Sequence, residues 1–205
     1  MKKQTHVLGG LFLGSLLVKC HLITPPVFSP TSSVSDSSEL DLSIVRDTAM
    51  FLVSGQGGEL VAWGFFFLGC LLGAVFLDID HPNSFIGRRM KVTSFLVHQT
   101  FGHRGWTHSL SFVLGFGVLL YIGTFALSPI LQDFSLKQVI LFFAKGWIIG
   151  MVSHLFLDMM TKGGVPLLHP FSKKRISLSP IKTGSLGEFL VFLVMLFGEI
   201  VVVAF

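Results

Sequence analysis

Long apolar runs alternate with shorter polar segments along this chain. Four runs, Leu60–Leu77, Leu110–Ile130, Val139–Met159 and Leu186–Phe205, come close to or reach the roughly 20 apolar residues a helix needs to cross a bilayer. A fifth, Val7–Val18, is shorter, though Leu22 and Ile23 could extend it past Lys19. The pattern predicts an all-α, polytopic transmembrane helix bundle of about five spans, forming one membrane-embedded domain over residues 1–205. Its connections are residues 24–58, 79–109 and 160–185. In the first connection, Thr24–Ser38 is rich in Ser, Thr and Pro and reads as an outer loop. Glu39–Ser54 has apolar residues at helical intervals (Leu40, Ile44, Val45, Ala49, Leu52, Val53), which suit a segment lying along the membrane surface. Gly69 and Gly73, and likewise Gly146 and Gly150, have the spacing that lets helices approach closely, here read as general packing.

Composition strengthens the membrane reading. The chain is 51% hydrophobic but only 13% charged, where soluble domains carry about 25% charge. So few charges could not cover a compact water-exposed surface. The 22 Phe against a single Tyr also suit lipid-facing positions. Lys2 and Lys3 before the first run could belong to a signal peptide, but small residues at a cleavage site are missing, so the expectation is an uncleaved first span. Cys20 and Cys70 share no motif spacing, which excludes a disulfide framework and a cysteine zinc finger.

Charge also supplies a direction. With the N-terminus inside, the inner segments collect Lys2, Lys3, Arg88, Arg89, Lys91, Arg104, Lys162, Lys173, Lys174, Arg175 and Lys182. The outer segments hold only Lys19, Arg46 and Lys137, so the expected topology is N-in, C-out. Residues 24–58 are then extracytoplasmic, and residues 79–109 and 160–185 cytoplasmic. The net charge of +4 is explained by orientation in the membrane. The expected partners are therefore membrane lipids, with no nucleic acid.

Against that topology, the metal-binding residue types fall at one side. His6 opens the first span, Asp78, Asp80 and His81 end the second, His103 and His108 lead into the third, and His154 and Asp158 end the fourth. The topology rests on Lys and Arg alone, so this convergence is a separate observation. His154 and Asp158 are four residues apart and share a helix face. Two carboxylates at the C-terminal end of a helix oppose its dipole and call for a nearby cation. A single such residue would more often be interface polarity. Convergence of Asp78, Asp80, His108, His154 and Asp158 favours a metal site, with His6 and His103 as weaker members and His81 either a ligand or a turn residue. Oxygen and imidazole donors suit zinc, manganese, iron or magnesium, with zinc or manganese expected here. Arg104 has two readings, one more inner basic residue or a clamp on a phosphate or carboxylate oxygen. Thr107 or Ser109 could cap the third span. Lys145, Glu188 and Glu199 lie within spans but do not cluster in sequence.

Four motifs together, Thr5-His6, Asp78-Ile79-Asp80-His81-Pro82, His103-Arg104-Gly105-Trp106-Thr107-His108-Ser109 and Ser153-His154-Leu155-Phe156-Leu157-Asp158, resemble the YdjM-like family. The likeness runs from the N-terminus to about Ser185 and takes in Lys162–Ser185. It implies a multi-pass protein of the bacterial inner membrane, predicted to be a metal-dependent hydrolase and LexA-regulated in some members. Combined with the residues, the leading expectation is a hydrolase of a phosphoester, in a lipid or lipid-linked substrate, at the cytoplasmic face. Asp80 is the expected general base and Arg104 the stabiliser of charge on the reacting group. A non-catalytic protein with a structural metal site is the alternative, and a metal or ion transporter ranks last.

Overall fold

The apolar runs do become helices, and the glycines among them decide which helices sit inside. The computed structural model describes residues 1–26, 55–102, 104–127 and 134–204. Helix α1 is Lys3–Lys19, α2 Gly55–Phe76, α3 Lys91–Phe101, α4 Leu110–Leu127, α5 Phe134–Met159 and α6 Leu186–Ala204. Short 3₁₀ turns at Leu77–Asp80 and Trp106–His108 follow α2 and precede α4. Four segments, Gly58–Asp80, Leu110–Leu127, Leu136–Met159 and Leu186–Ala204, are long and apolar enough to cross a bilayer. α1 has 17 residues, about 25 Å at 1.5 Å per residue, a little short of a ~30 Å hydrocarbon core. It nonetheless packs within the bundle, against α2, α5 and α6, so the expected count of about five is met by four long helices and one short one.

α2 and α5 form the central pair. A Cβ at Gly69 or Gly73 would collide with the Phe143 and Trp147 carbonyls, and one at Gly146 or Gly150 with those of Phe66 and Cys70. The four glycines thus interlock, and backbone meets backbone across the seam. Around it Ala62, Phe66, Cys70, Val139 and Phe142 form one buried cluster, and Leu77, Val113, Met151 and Leu155 form another. α4 packs on α5 and α6 packs on α1, so these two lie at the periphery.

Two membrane-depth carboxylates fasten α6 to α1. The Glu188 carboxylate accepts from the Lys2 N–H, the Thr5 hydroxyl (3.1 Å) and the Gly184 N–H (2.6 Å). It thereby satisfies donors at the start of α1, where an anion also suits the helix dipole. Farther along, the Ser15 hydroxyl donates to Glu199 (2.8 Å). Both glutamates therefore pair between helices.

Residues 79–109, expected only as a connection, contain α3, whose Val92, Phe95 and Leu96 are exposed at helical spacing. Residues 160–185 fold over the same end of the bundle through bridges Thr161–Ile181 and Val165–Ile176. The surface segment expected over Glu39–Ser54, like most of the Thr24–Ser38 loop, lies outside the described residues.

Candidate metal centre

Five helices bring a polar residue to the same end of the bundle. His6 sits in the second turn of α1 and is 1% exposed, while His108 and His154 are fully buried and Asp158 is 1% exposed. Asp78 follows α2 in the first 3₁₀ turn and lines a cleft of about 450 Å³ together with Lys3, His81, Arg88, Arg104 and Asp158. Glu188 at the start of α6 completes this end through Thr5, as described above.

The donor atoms face one another. Asp78 Oδ1 lies 3.9 Å from His108 Nε2 and 3.8 Å from His154 Nε2. Asp158 Oδ2 lies 3.6 Å from His108 Nε2 and 3.7 Å from His154 Nε2. Asp158 Oδ1 turns the other way and lies 3.5 Å from His6 Nε2, 3.0 Å from Arg104 Nη2 and 2.9 Å from the Met1 nitrogen. His6 and His154 stack with ring centroids 3.7 Å apart. Two overlapping sets result, His6/His154/Asp158 and Asp78/His108/His154.

Their spacing has a physical meaning. Ligands of one ion, each about 2.0–2.2 Å from it, stand about 3.5 Å apart at tetrahedral angles. The observed separations of 3.6–3.9 Å are too long for hydrogen bonds and close to that value. His154 makes the point sharply. Its Nδ1 is 2.6 Å from the Ala74 carbonyl oxygen, which can only accept, so Nδ1 carries the proton. With the ring neutral, an Nε2 lone pair points toward two carboxylates, and among the described residues Nε2 is buried with no hydrogen bond. A lone pair facing carboxylates in a buried site is well matched by a cation between them. The residues present therefore fit a divalent metal.

A further layer of bonds orients these donors. Asp80 Oδ2 accepts from the His108 ring Nδ1 (3.0 Å), the Thr107 hydroxyl (2.6 Å) and the Arg104 N–H (2.9 Å). This aims His108 Nε2 at Asp78 and Asp158, as a carboxylate does behind a metal-binding histidine. Arg104 has the left-handed φ of 54° that permits this backbone bond, and its guanidinium also reaches Thr161 Oγ1 (3.2 Å). The Thr161 hydroxyl in turn donates to the Asp158 carbonyl (2.7 Å). Ser109, the residue before α4, caps that helix by accepting from the Phe112 N–H (3.2 Å), while Thr107 is engaged with Asp80.

Of the residues expected from sequence, His6, Asp78, His108, His154 and Asp158 meet directly. Asp80 stands behind His108, and Arg104 lies across Asp158. His81 lies on the cleft wall, its Nδ1 accepting from the Asn83 N–H (3.2 Å). His103 lies outside the described residues. Thr161 and Glu188 carry no sequence signal for this end, and Thr107, a cap candidate for the third span, bonds Asp80 instead. Thr107 had a signal, since it stands inside the His103–Ser109 motif. His98 also proves structural, with Nδ1 2.8 Å from the Asp80 carbonyl oxygen.

Comparison with known proteins gives the family. The chain is 40% identical over 107 residues to the inner membrane protein YdjM of Escherichia coli (strain K12), covering 50% of this chain and 46% of that one. The YdjM protein of Shigella flexneri matches to the same extent. The uncharacterized protein YvsG of Bacillus subtilis (strain 168) is 40% identical over 121 residues, 58% of this chain and 66% of its own. The matched stretch thus spans about half the length of the YdjM relatives. No solved structure matches. The model of the YdjM inner membrane protein family matches residues 1–204, and with nearly the whole length covered, this chain belongs to the YdjM family of inner membrane proteins.

Proposed function

We propose that this protein is a membrane-bound metal-dependent hydrolase that cleaves a phosphoester in a lipid or lipid-linked substrate at the cytoplasmic face. The observation that carries the reading is the buried His154 Nε2, which faces Asp78 and Asp158 with no hydrogen-bond partner among the described residues. Asp78, His108, His154 and Asp158 would hold the ion, with His6 as a further donor beside Asp158. When bound, zinc or manganese lowers the pKa of water and polarises the phosphoryl oxygen.

The chain's own residues divide the remaining work. Asp80 is fully buried and already accepts three hydrogen bonds, so we assign it to orienting His108 in place of the general-base role expected from sequence. Asp78 is 26% exposed and lines the cleft; with its Oδ1 turned toward the ion, Oδ2 would take the proton of the attacking water. The Arg104 guanidinium lines the same cleft beside Asp158 and would stabilise negative charge on the reacting group. Lys3 and Arg88 on the cleft wall suit an anionic substrate. A cleft that reaches the Asp78 and Asp158 carboxylates favours catalysis over a purely structural site, which would be closed.

Metal analysis of the detergent-purified protein tests the reading, with His154→Ala alongside. Wild type is expected to carry near-stoichiometric metal and the variant to lose it, together with release of phosphate-containing product from phospholipid vesicles. Wild-type protein that stays metal-free after loading with zinc and manganese would overturn it.

A further inference from the structure

Helix α3 has its polarity inside out. Ser94 is fully buried against Gly87, where an added Cβ would come within 2.8 Å of the serine Oγ. His98 turns inward as well, its ring Nδ1 donating to the Asp80 carbonyl (2.8 Å). Val92, Phe95 and Leu96 face away and are 75%, 56% and 58% exposed. A helix on a water-covered surface turns its apolar side to the core. Here polar side chains fill the contact with the protein, and the apolar side is left for another surface.

Position narrows the choice of surface. The His98 bond fastens α3 to the turn that ends the Gly58–Asp80 span. Its last residue, Phe101, has its ring 5.1 Å from that of Trp106, four residues before the Leu110–Leu127 span. α3 is therefore held beside the ends of two spans, where the bundle leaves the bilayer. Its 11 residues make about 16 Å of helix, too short to cross. Charge narrows the choice further. Arg88, Arg89 and Lys91 are exposed at the start of α3, and residues 81–109 contain no Asp or Glu. Basic residues bordering an apolar face suit anionic lipid heads. The same face of a second copy would set like charges together.

We propose that α3 lies in the plane of the membrane, with Val92, Phe95 and Leu96 among the acyl chains of the leaflet at the histidine–aspartate end. Arg88, Arg89 and Lys91 stand in the headgroup layer. Phe85 and Arg88 on the cleft wall lead directly into α3, so the helix holds the mouth of the cleft at headgroup depth. This seating does not depend on whether the cleft is catalytic.

Spin labels measure the depth. Cys20→Ser removes the exposed thiol, and Cys70 is buried. In that background Phe95→Cys and Leu96→Cys are labelled one at a time. The full chain is then reconstituted in vesicles of phosphatidylcholine and phosphatidylglycerol. Collisions with oxygen and with a water-soluble nickel chelate should place both labels about 5–10 Å below the phosphates. Val118→Cys, at an exposed position midway along α4, supplies the deep reference. All three substitutions fall on exposed side chains, so the fold is not at stake. Labels at 95 and 96 that meet the chelate freely would put this face in water. Labels shielded from both oxygen and chelate would put it against protein, and either result overturns the proposal.

Discussion

α2 and α5 meet each other along glycine, whereas α4 and α6 meet lipid along Leu, Phe and Val. All four are strongly apolar, yet 44% and 50% of the inner spans are buried against 11% of each outer one. Hydrophobicity therefore does not select the inner pair, because lipid tails are as apolar as leucine. Close approach does. The seam at Gly69, Gly73, Gly146 and Gly150 brings the two backbones near enough for the Ala74 carbonyl on α2 to accept from His154 on α5. The histidine–aspartate cluster thus stands at the end of the glycine seam. The outer helices add a capped start at Ser109 and a clamp at Glu188, each made at the end of a span.

The seam between α2 and α5 is most sensitive at Gly150, one turn before His154. Gly150→Leu forces a side chain against the Cys70 backbone and should cost about 3 kcal/mol, the upper end for overpacking. Thermal unfolding in detergent should show this, and metal should be lost in the same samples. A variant that keeps wild-type melting and metal would mean that the seam does not support the site.

Asp80→Asn probes orientation without touching the seam. His108 loses its carboxylate partner, so metal affinity should fall about 10–100-fold while the melting temperature of the metal-free protein changes little. Competition with a chelator measures it, and unaltered affinity would leave Asp80 with no role behind His108. The smallest effect belongs to the periphery. A Cβ at Gly115 of α4 meets nothing within 4 Å, so Gly115→Ala should shift stability by no more than about 0.5 kcal/mol. A larger loss would show that α4 packs more tightly than its exposure implies.

Much of the site was legible because it is written in residue types that membranes exclude. His6, Asp78, His108, His154 and Asp158 stood out against apolar runs, and the lysines and arginines placed them at one end. Asp80 was legible as a member but not in its role. Two carboxylates separated by one residue look alike in sequence, and only the turn after α2 sends Asp78 to the cleft and Asp80 behind His108. Helix α3 is not legible as a span although Val92, Phe95 and Leu96 carry helical spacing, because eleven residues cannot cross a bilayer.

The sequence alone determined the membrane class, the helical spans and the end of the bundle where the polar residues gather. Each of these follows from local composition: run length against bilayer thickness, and charge against its absence. The tertiary structure decided which helices are central, which nitrogen of His154 carries the proton, and which carboxylates face the buried histidines. Those depend on distances of a few ångströms between residues far apart in the chain, such as Ala74 and His154, and no local pattern encodes them.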